Sequence, residues 1–306
     1  MWAITSYYNP VRYRRRLSNY RLFRANLGVP LVTVELSFDG QFELTEKDAD
    51  ILVQISGGAV LWQKERLLNV ALQALPRSCD KVAWLDCDIF FDTPDWTEAA
   101  DSLLDRYPII QLFRRVLNLG PQWSPGKDPA SEVEFTRPSA AFSLASGVPA
   151  VAAIGHLLND RKRTCAPGFA WAASRELLDR HFFFDTCIIG GGDRAMAGAA
   201  YHCFDALMQR HCMNEHERRR YITWAEPFYE SVRAETAFLD ADIFHLWHGD
   251  VDRRKGRSRH EGFQEFQFDP YTDIAIDENG SWRWNTEKPE MHEYVRRYFA
   301  SRKEDG

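Results

Sequence analysis

Asp86 and Asp88 stand two residues apart at the end of an apolar run, in VAWLDCDIFF. In an extended chain, side chains at i and i+2 share one face, and two carboxylates side by side repel unless a cation lies between them. A divalent metal that bridges a diphosphate supplies such a cation. The plainer reading is a strand-end turn with two solvated acids. Further along, Ile189-Gly190-Gly191-Gly192-Asp193 opens a helix. Gly191 and Gly192 let the backbone approach a sugar or acceptor closely, and a helix start favours an ionised Asp193. That carboxylate is suited to general-base work, or it serves as an N-cap. In IFHLWHGD an apolar strand delivers His245 and His248. Neutral imidazole joined to two carboxylates makes a ligand set for Mn²⁺ or Mg²⁺. His248, beside Gly249, is the favoured ligand and His245 the alternative.

Other residues suit a nucleotide. Thr5, Ser6 and Tyr7 end a first strand and Glu35 ends a second. A Tyr ring stacks on a base, and an acid accepts from its N–H. Immediately after the late histidines, DRRKGRSRH carries Arg253, Arg254, Lys255, Arg257 and Arg259. This is either a solvated basic loop or a clamp on a departing diphosphate, with Arg253 and Arg254 nearest the strand end. Trp171, in GFAWAAS, stacks on a sugar face or fills the core. The basic runs 12–16 and 218–220 read as exposed helix faces, the first also able to meet acidic lipid or substrate.

These residues need strands and helices to hold them. Residues 2–8 and 31–36 read as apolar strands, and 13–27 and 61–75 as helices closed by Gly28 and Pro76. Residues 81–91 read as one strand, 97–106 as a helix and 108–113 as a strand. Such alternation implies an α/β fold with a mostly parallel sheet flanked by helices. Residues 120–141, rich in Pro, Ser and Gly, read as a mobile insertion or lid. Acceptor choice is assigned to residues 120–164 and the tail. Residues 168–173 read as a strand, 174–180 as a short helix and 193–209 as one helix. A C-terminal extension over 256–306, packed on the domain formed by 1–255, shows weak alternation (FQEFQF, TDIAID, SWRW) and a last helix near 290–302.

WQKERLLNVALQALP followed by VAWLDCDIFF resembles the donor half of GT-A-fold nucleotide-sugar glycosyltransferases, similar to glycosyltransferase family 2. GFAWAASRELL, IIGGGD and HLWHGD extend the resemblance in the same order. It implies a GT-A-like fold and transfer, by inversion, of a sugar from a nucleotide-diphosphate donor, with a UDP-sugar expected, to a glycan or other hydroxyl acceptor. It further implies that Asp86 and Asp88 hold the metal, with Asp86 also facing the donor, that a late His completes the set, that Lys64 points toward the nucleotide, and that Asp193 is the base. Here a Gly stands before Asp193 where the family usually has Glu. Two rivals remain. A haloacid-dehalogenase-like phosphotransferase also places DxD after a strand, but it wants Thr or Val where this chain has Phe90. A non-catalytic sugar-nucleotide-binding protein is the other.

Composition bounds these readings. The 306 residues are 45% apolar and 27% charged, with a net charge of −6, which excludes disordered and fibrous classes. Nucleic acid is not an expected partner, because phosphate neutralisation needs surplus Lys and Arg. No run of about 18 apolar residues suggests a spanning helix, while peripheral membrane contact stays open. Six scattered cysteines without CxxC spacing fit a cytoplasmic location.

Overall fold

The computed structural model describes residues 1–155 and 164–306. In chain order the first elements are β1 (Trp2–Tyr8), α1 (Arg14–Ala25), β2 (Leu31–Ser37), β3 (Ile51–Ser56), α2 (Lys64–Ala74), β4 (Lys81–Leu85), β5 (Ile89–Phe91), α3 (Trp96–Leu104), β6 (Ile109–Gln111), β7 (Arg115–Leu119) and β8 (Val133–Pro138). They are followed by α4 (Ala140–Ala145), α5 (Ala150–Ile154), β9 (Ala170–Ser174), α6 (Arg175–His181), α7 (Gly192–Ala200), α8 (Phe204–Arg210), α9 (Glu215–Val232), β10 (Thr236–Phe238), β11 (Asp242–His245), α10 (Ser258–Phe263), β12 (Ile274–Ile276), β13 (Trp282–Trp284) and α11 (Pro289–Ser301).

The central sheet runs β10-β6-β9-β4-β1-β2-β3. Its pairs are parallel except where β9 lies antiparallel between β4 and β6. The mostly parallel α/β sheet expected from the alternation is therefore present. Both faces are covered, which explains why β1 and β2 read as nearly continuous apolar runs. Ile4 points to one face, where it joins Leu67, Leu68 and Leu72 of α2. Ala3 points to the other, with Phe23 of α1 and Ala100 of α3.

A second sheet, β5-β11-β7-β8, stands beside the first. Three expectations change here. Residues 81–91 are not one strand: β4 ends at Leu85, Asp86–Asp88 form a turn, and β5 belongs to the second sheet. The expected lid over 120–141 instead carries β8, which pairs antiparallel with β7. The helix expected over 193–209 breaks into α7 and α8 at His202, whose φ of 54° no helix accommodates. The acceptor segment expected over 120–164 lies partly outside the described residues, at 156–163.

In the tail, FQEFQF is a helical turn, not a strand. TDIAID and SWRW supply the β12–β13 hairpin. That hairpin is tied to the start of α2, because Gln63 Nε2 donates to the Trp282 carbonyl at 2.7 Å and Trp282 N–H donates back to Gln63 Oε1 at 2.9 Å.

Candidate functional site

The chain crosses from the central sheet to the second one at Asp86-Cys87-Asp88, and the turn sends its two carboxylates in different directions. Asp86 meets Lys64 at 2.5 Å. Lys64 opens α2, is buried, and donates also to both oxygens of Asp193, at 2.8 and 2.9 Å. Burial opposes the ammonium charge, but Asp193 and Asp86 outweigh it and hold Lys64 well above the ordinary lysine range. Burial, with Asp193 and Asp88 nearby, pushes Asp86 up to about 6 despite Lys64. One ammonium thus joins the end of β4 to the start of α7.

Asp88 faces β11 instead. β11 pairs antiparallel with β5 so that His245 is opposite Ile89, and Leu246 N–H donates to the Asp88 carbonyl at 2.8 Å. This register brings His248 Nε2 within 3.0 Å of Asp88 Oδ2, and His245 Nε2 within 3.8 Å of Oδ1. The two Nε2 atoms are 3.1 Å apart. Each outer nitrogen faces an oxygen acceptor. Asn118 directs its NH₂ to the Phe135 carbonyl, so its Oδ1 accepts from His245 Nδ1–H at 3.0 Å. His248 Nδ1 faces Glu304 Oε1 at 3.5 Å. With the proton on Nδ1 of each ring, both Nε2 lone pairs point inward. Arg254 already donates to His248 Nε2 at 2.7 Å.

This pocket has the properties of a cation site. Asp88 Oδ1 is buried without a hydrogen-bond partner among the described residues. One donor atom each from Asp88, His245 and His248 lies within 4.8 Å of the others. Burial, Arg254 and His248 push the His245 imidazole well below its ordinary range despite Asp88, leaving it neutral and able to ligate. Two imidazoles and one carboxylate suit a transition-metal ion better than Mg²⁺, which prefers oxygen alone. Asp86, expected beside Asp88 in the ligand set, is held by Lys64 because the turn replaces an extended DxD. Both late histidines, not one, face Asp88.

The other expected residues divide. Thr5 and Ser6 line the same cleft as Asp86, Asp88, Asp193 and Gly191, and Thr5 Oγ1 donates to the Leu85 carbonyl at 2.7 Å. Tyr7 and Glu35 face a neighbouring depression. The loop between β2 and β3 uses them: Tyr7 donates to Glu43 at 2.9 Å, and Glu35 accepts from Glu43 N–H at 2.6 Å and Gln54 at 2.9 Å. Trp171 is a core residue, 2% exposed and stacked on Trp84, so the sugar-platform alternative is corrected. Gly191, with a φ of +111°, is the N-cap of α7, so Asp193 lies in the first turn and is not the capping residue. A Cβ on Gly192 would lie 2.2 Å from the carboxyl carbon of Glu65. Of the basic loop, Arg254 and Arg259 enter the cleft, while Arg253 turns out to solvent near Asp250.

Several site residues carried no signal in sequence. Arg16 belongs to a run expected on an exposed helix face, yet it is largely buried and pairs with Glu304 at 3.1 Å. Glu304, Arg302 and Tyr298 come from the C-terminal extension. Among the described residues, eight Lys and Arg side chains line the cleft against three Asp, in a chain whose net charge is −6.

No protein-family model matches the chain, and no curated protein matches it. Among solved structures it is similar to a 4-diphosphocytidyl-2C-methyl-D-erythritol synthase from Anaerococcus prevotii, at 11% identity over 78% of this chain and 86% of that one, with a TM-score of 0.35. It is also similar to a structure assigned as a nucleotide-diphospho-sugar transferase from Desulfovibrio desulfuricans, at 12% identity over 80% of each chain, with a TM-score of 0.32. Both similarities are distant.

Proposed function

We propose that the cleft is the active site of a metal-dependent glycosyltransferase, which moves a sugar from a nucleotide-diphosphate donor, a UDP-sugar first among them, to a hydroxyl acceptor in glycan or polysaccharide synthesis. The observation that carries this reading is the convergence of Asp88, His245 and His248 with the Asp86–Lys64–Asp193 chain in one cationic cleft. The GT-A resemblance of the motifs supplies the reaction class.

In this reading Asp88, His245 and His248 hold Mn²⁺, which when bound offsets the charge of the donor diphosphate. Arg254, whose hydrogen bond to His248 Nε2 would have to yield to the metal, adds a guanidinium beside it, and Lys64 adds an ammonium at the cleft wall. Asp193 accepts the proton of the attacking hydroxyl. Lys64 takes one lone pair from each of its oxygens, so each oxygen keeps one for that proton. Glycine at 168 leaves room for this carboxylate, since a Cβ there would fall 2.7 Å from Asp193 Oδ2. Attack on the face opposite the diphosphate inverts the anomeric centre.

The test is turnover of a UDP-sugar panel by the purified chain with Mn²⁺, with and without chelator, alongside calorimetry with UDP. Metal-dependent UDP binding with donor hydrolysis or transfer is the expected result. Binding without turnover assigns a sugar-nucleotide-binding protein instead. Beryllofluoride trapping at Asp86 with phosphate-ester hydrolysis assigns a phosphotransferase.

A further inference from the structure

After α11, residues 302–306 lie back across the start of α1 and behind the histidine pair. The main chain of this strap passes so close to Gly249 that a Cβ there would fall 2.8 Å from the carbonyl oxygens of Arg302 and Lys303. Tyr13 fastens it from one side, donating to the Ala300 carbonyl at 3.0 Å and accepting from Lys303 N–H at 3.1 Å. Asp305 fastens it from the other, accepting from the N–H groups of Arg14 and Arg15 at 3.1 and 2.8 Å. Those are free donors of the first turn of α1, whose own N-cap makes no side-chain bond.

Between these two fastenings the strap carries Glu304, which is 1% exposed. Arg302 Nε donates to its Oε1 at 2.5 Å, and Arg16 Nη1 to Oε2 at 3.1 Å. Its Oε1 also lies 3.5 Å from His248 Nδ1. The two imidazoles thus have unlike partners on their outer sides: a neutral amide oxygen of Asn118 for His245, and a carboxylate for His248. A buried ion pair gains little over apolar packing, so stability is a weak reason for seating these charges behind a ligand.

We propose that Glu304 is a positioning residue of the metal centre: its carboxylate holds the Nδ1 side of His248 and strengthens that imidazole as a ligand. The inference rests on the metal-dependent reading above and deepens it, by bringing the strap into the centre. A carboxylate behind a ligating imidazole fixes the ring and raises its basicity. At 3.5 Å the contact is longer than an ordinary hydrogen bond. Ligation through Nε2 makes the Nδ1 proton more acidic and so increases its attraction to the carboxylate. Arg16 and Arg302 hold that carboxylate in place and ionised.

The experiment is Mn²⁺ titration of the full chain, read by electron paramagnetic resonance as affinity and as nitrogen couplings of the bound ion. Glu304→Gln should weaken Mn²⁺ by roughly tenfold or more and change the coupling that His248→Gln removes, while the His245 coupling stays as in the parent protein. In a His248→Gln background the same substitution should move the affinity by less than about threefold, because Glu304 acts through that ring. A merely structural role would lower affinity equally in both backgrounds and overturns the proposal. Glu304→Asp serves if Glu304→Gln does not fold: it keeps a charge for Arg16 and Arg302 but withdraws it from the ring, and the same pattern is expected. Parental affinity with both couplings unchanged in the substituted protein overturns the role of Glu304 and leaves the metal centre standing. Absence of imidazole coupling in the parent protein overturns the metal centre, and the role of Glu304 falls with it.

Discussion

Glu65 lies beneath the Gly-Gly-Gly-Asp turn and fills the volume that a side chain at position 192 would need. It is buried, at 4% exposure, and one of its oxygens has no hydrogen-bond partner among the described residues. The position directly before Asp193 is glycine, and a carboxyl arrives there from α2. Gly192 is therefore constrained by contact, since a Cβ there would overlap the buried Glu65 carboxyl. Gly192→Ala is expected to cost about 1–3 kcal/mol, the range for overpacking a filled interior, read as a lower urea midpoint. A midpoint matching the parent protein would show that Glu65 yields freely.

At the scale of elements, the site depends on the register of β5 and β11 and on the C-terminal extension that closes over α2. Trp282 is 6% exposed, and its Nε1–H donates to the Asp185 carbonyl at 2.9 Å. Trp282→Ala should remove about 3–5 kcal/mol from the denaturant stability, with added loss of UDP binding as Arg259 and Arg302 shift. Retained binding in that variant would mean that the extension does not hold the cleft. The early strands and helices were legible because their apolar spacing is regular and Gly28 and Pro76 mark two stops. The break at Asp86 was not, because DCD contains no glycine or proline and apolar residues continue beyond it. Asp88 and the two histidines were legible as chemistry. That Asp86 turns away to Lys64 was not, since sequence spacing carries no information about which sheet the next strand joins. Arg16, Arg194 and Glu304 were hidden for a related reason: their partners are distant in sequence, Arg16 pairing with Glu304 and Arg194 donating to the Ile154 carbonyl.

Over the whole molecule, an acidic chain concentrates positive charge in one cleft, and burial raises the proton affinity of carboxyls in and beneath the surrounding elements. Burial, with Asp193 and Asp86, pushes Glu65 up to about 8 despite Lys64. Burial raises Asp86 to about 6 and Glu217 to about 7. In the unfolded chain these acids ionise near their ordinary values, so between those values and the raised ones the folded state binds more protons. Stability therefore falls as pH rises through that window. Above pH of about 7 Glu65 dominates the remaining slope, and Glu65→Gln should flatten melting temperature against pH there; an unchanged slope would assign it to other groups. The central claim is that Asp88, His245 and His248 hold one divalent ion. Its most direct test is Mn²⁺ titration followed by electron paramagnetic resonance, with nitrogen couplings read from the bound ion. The account expects one Mn²⁺ per chain carrying couplings from two imidazoles, one of which disappears in His245→Gln and one in His248→Gln, with affinity falling roughly tenfold or more in Asp88→Asn. Mn²⁺ bound with the same affinity in Asp88→Asn, or without imidazole coupling in the parent protein, would contradict it.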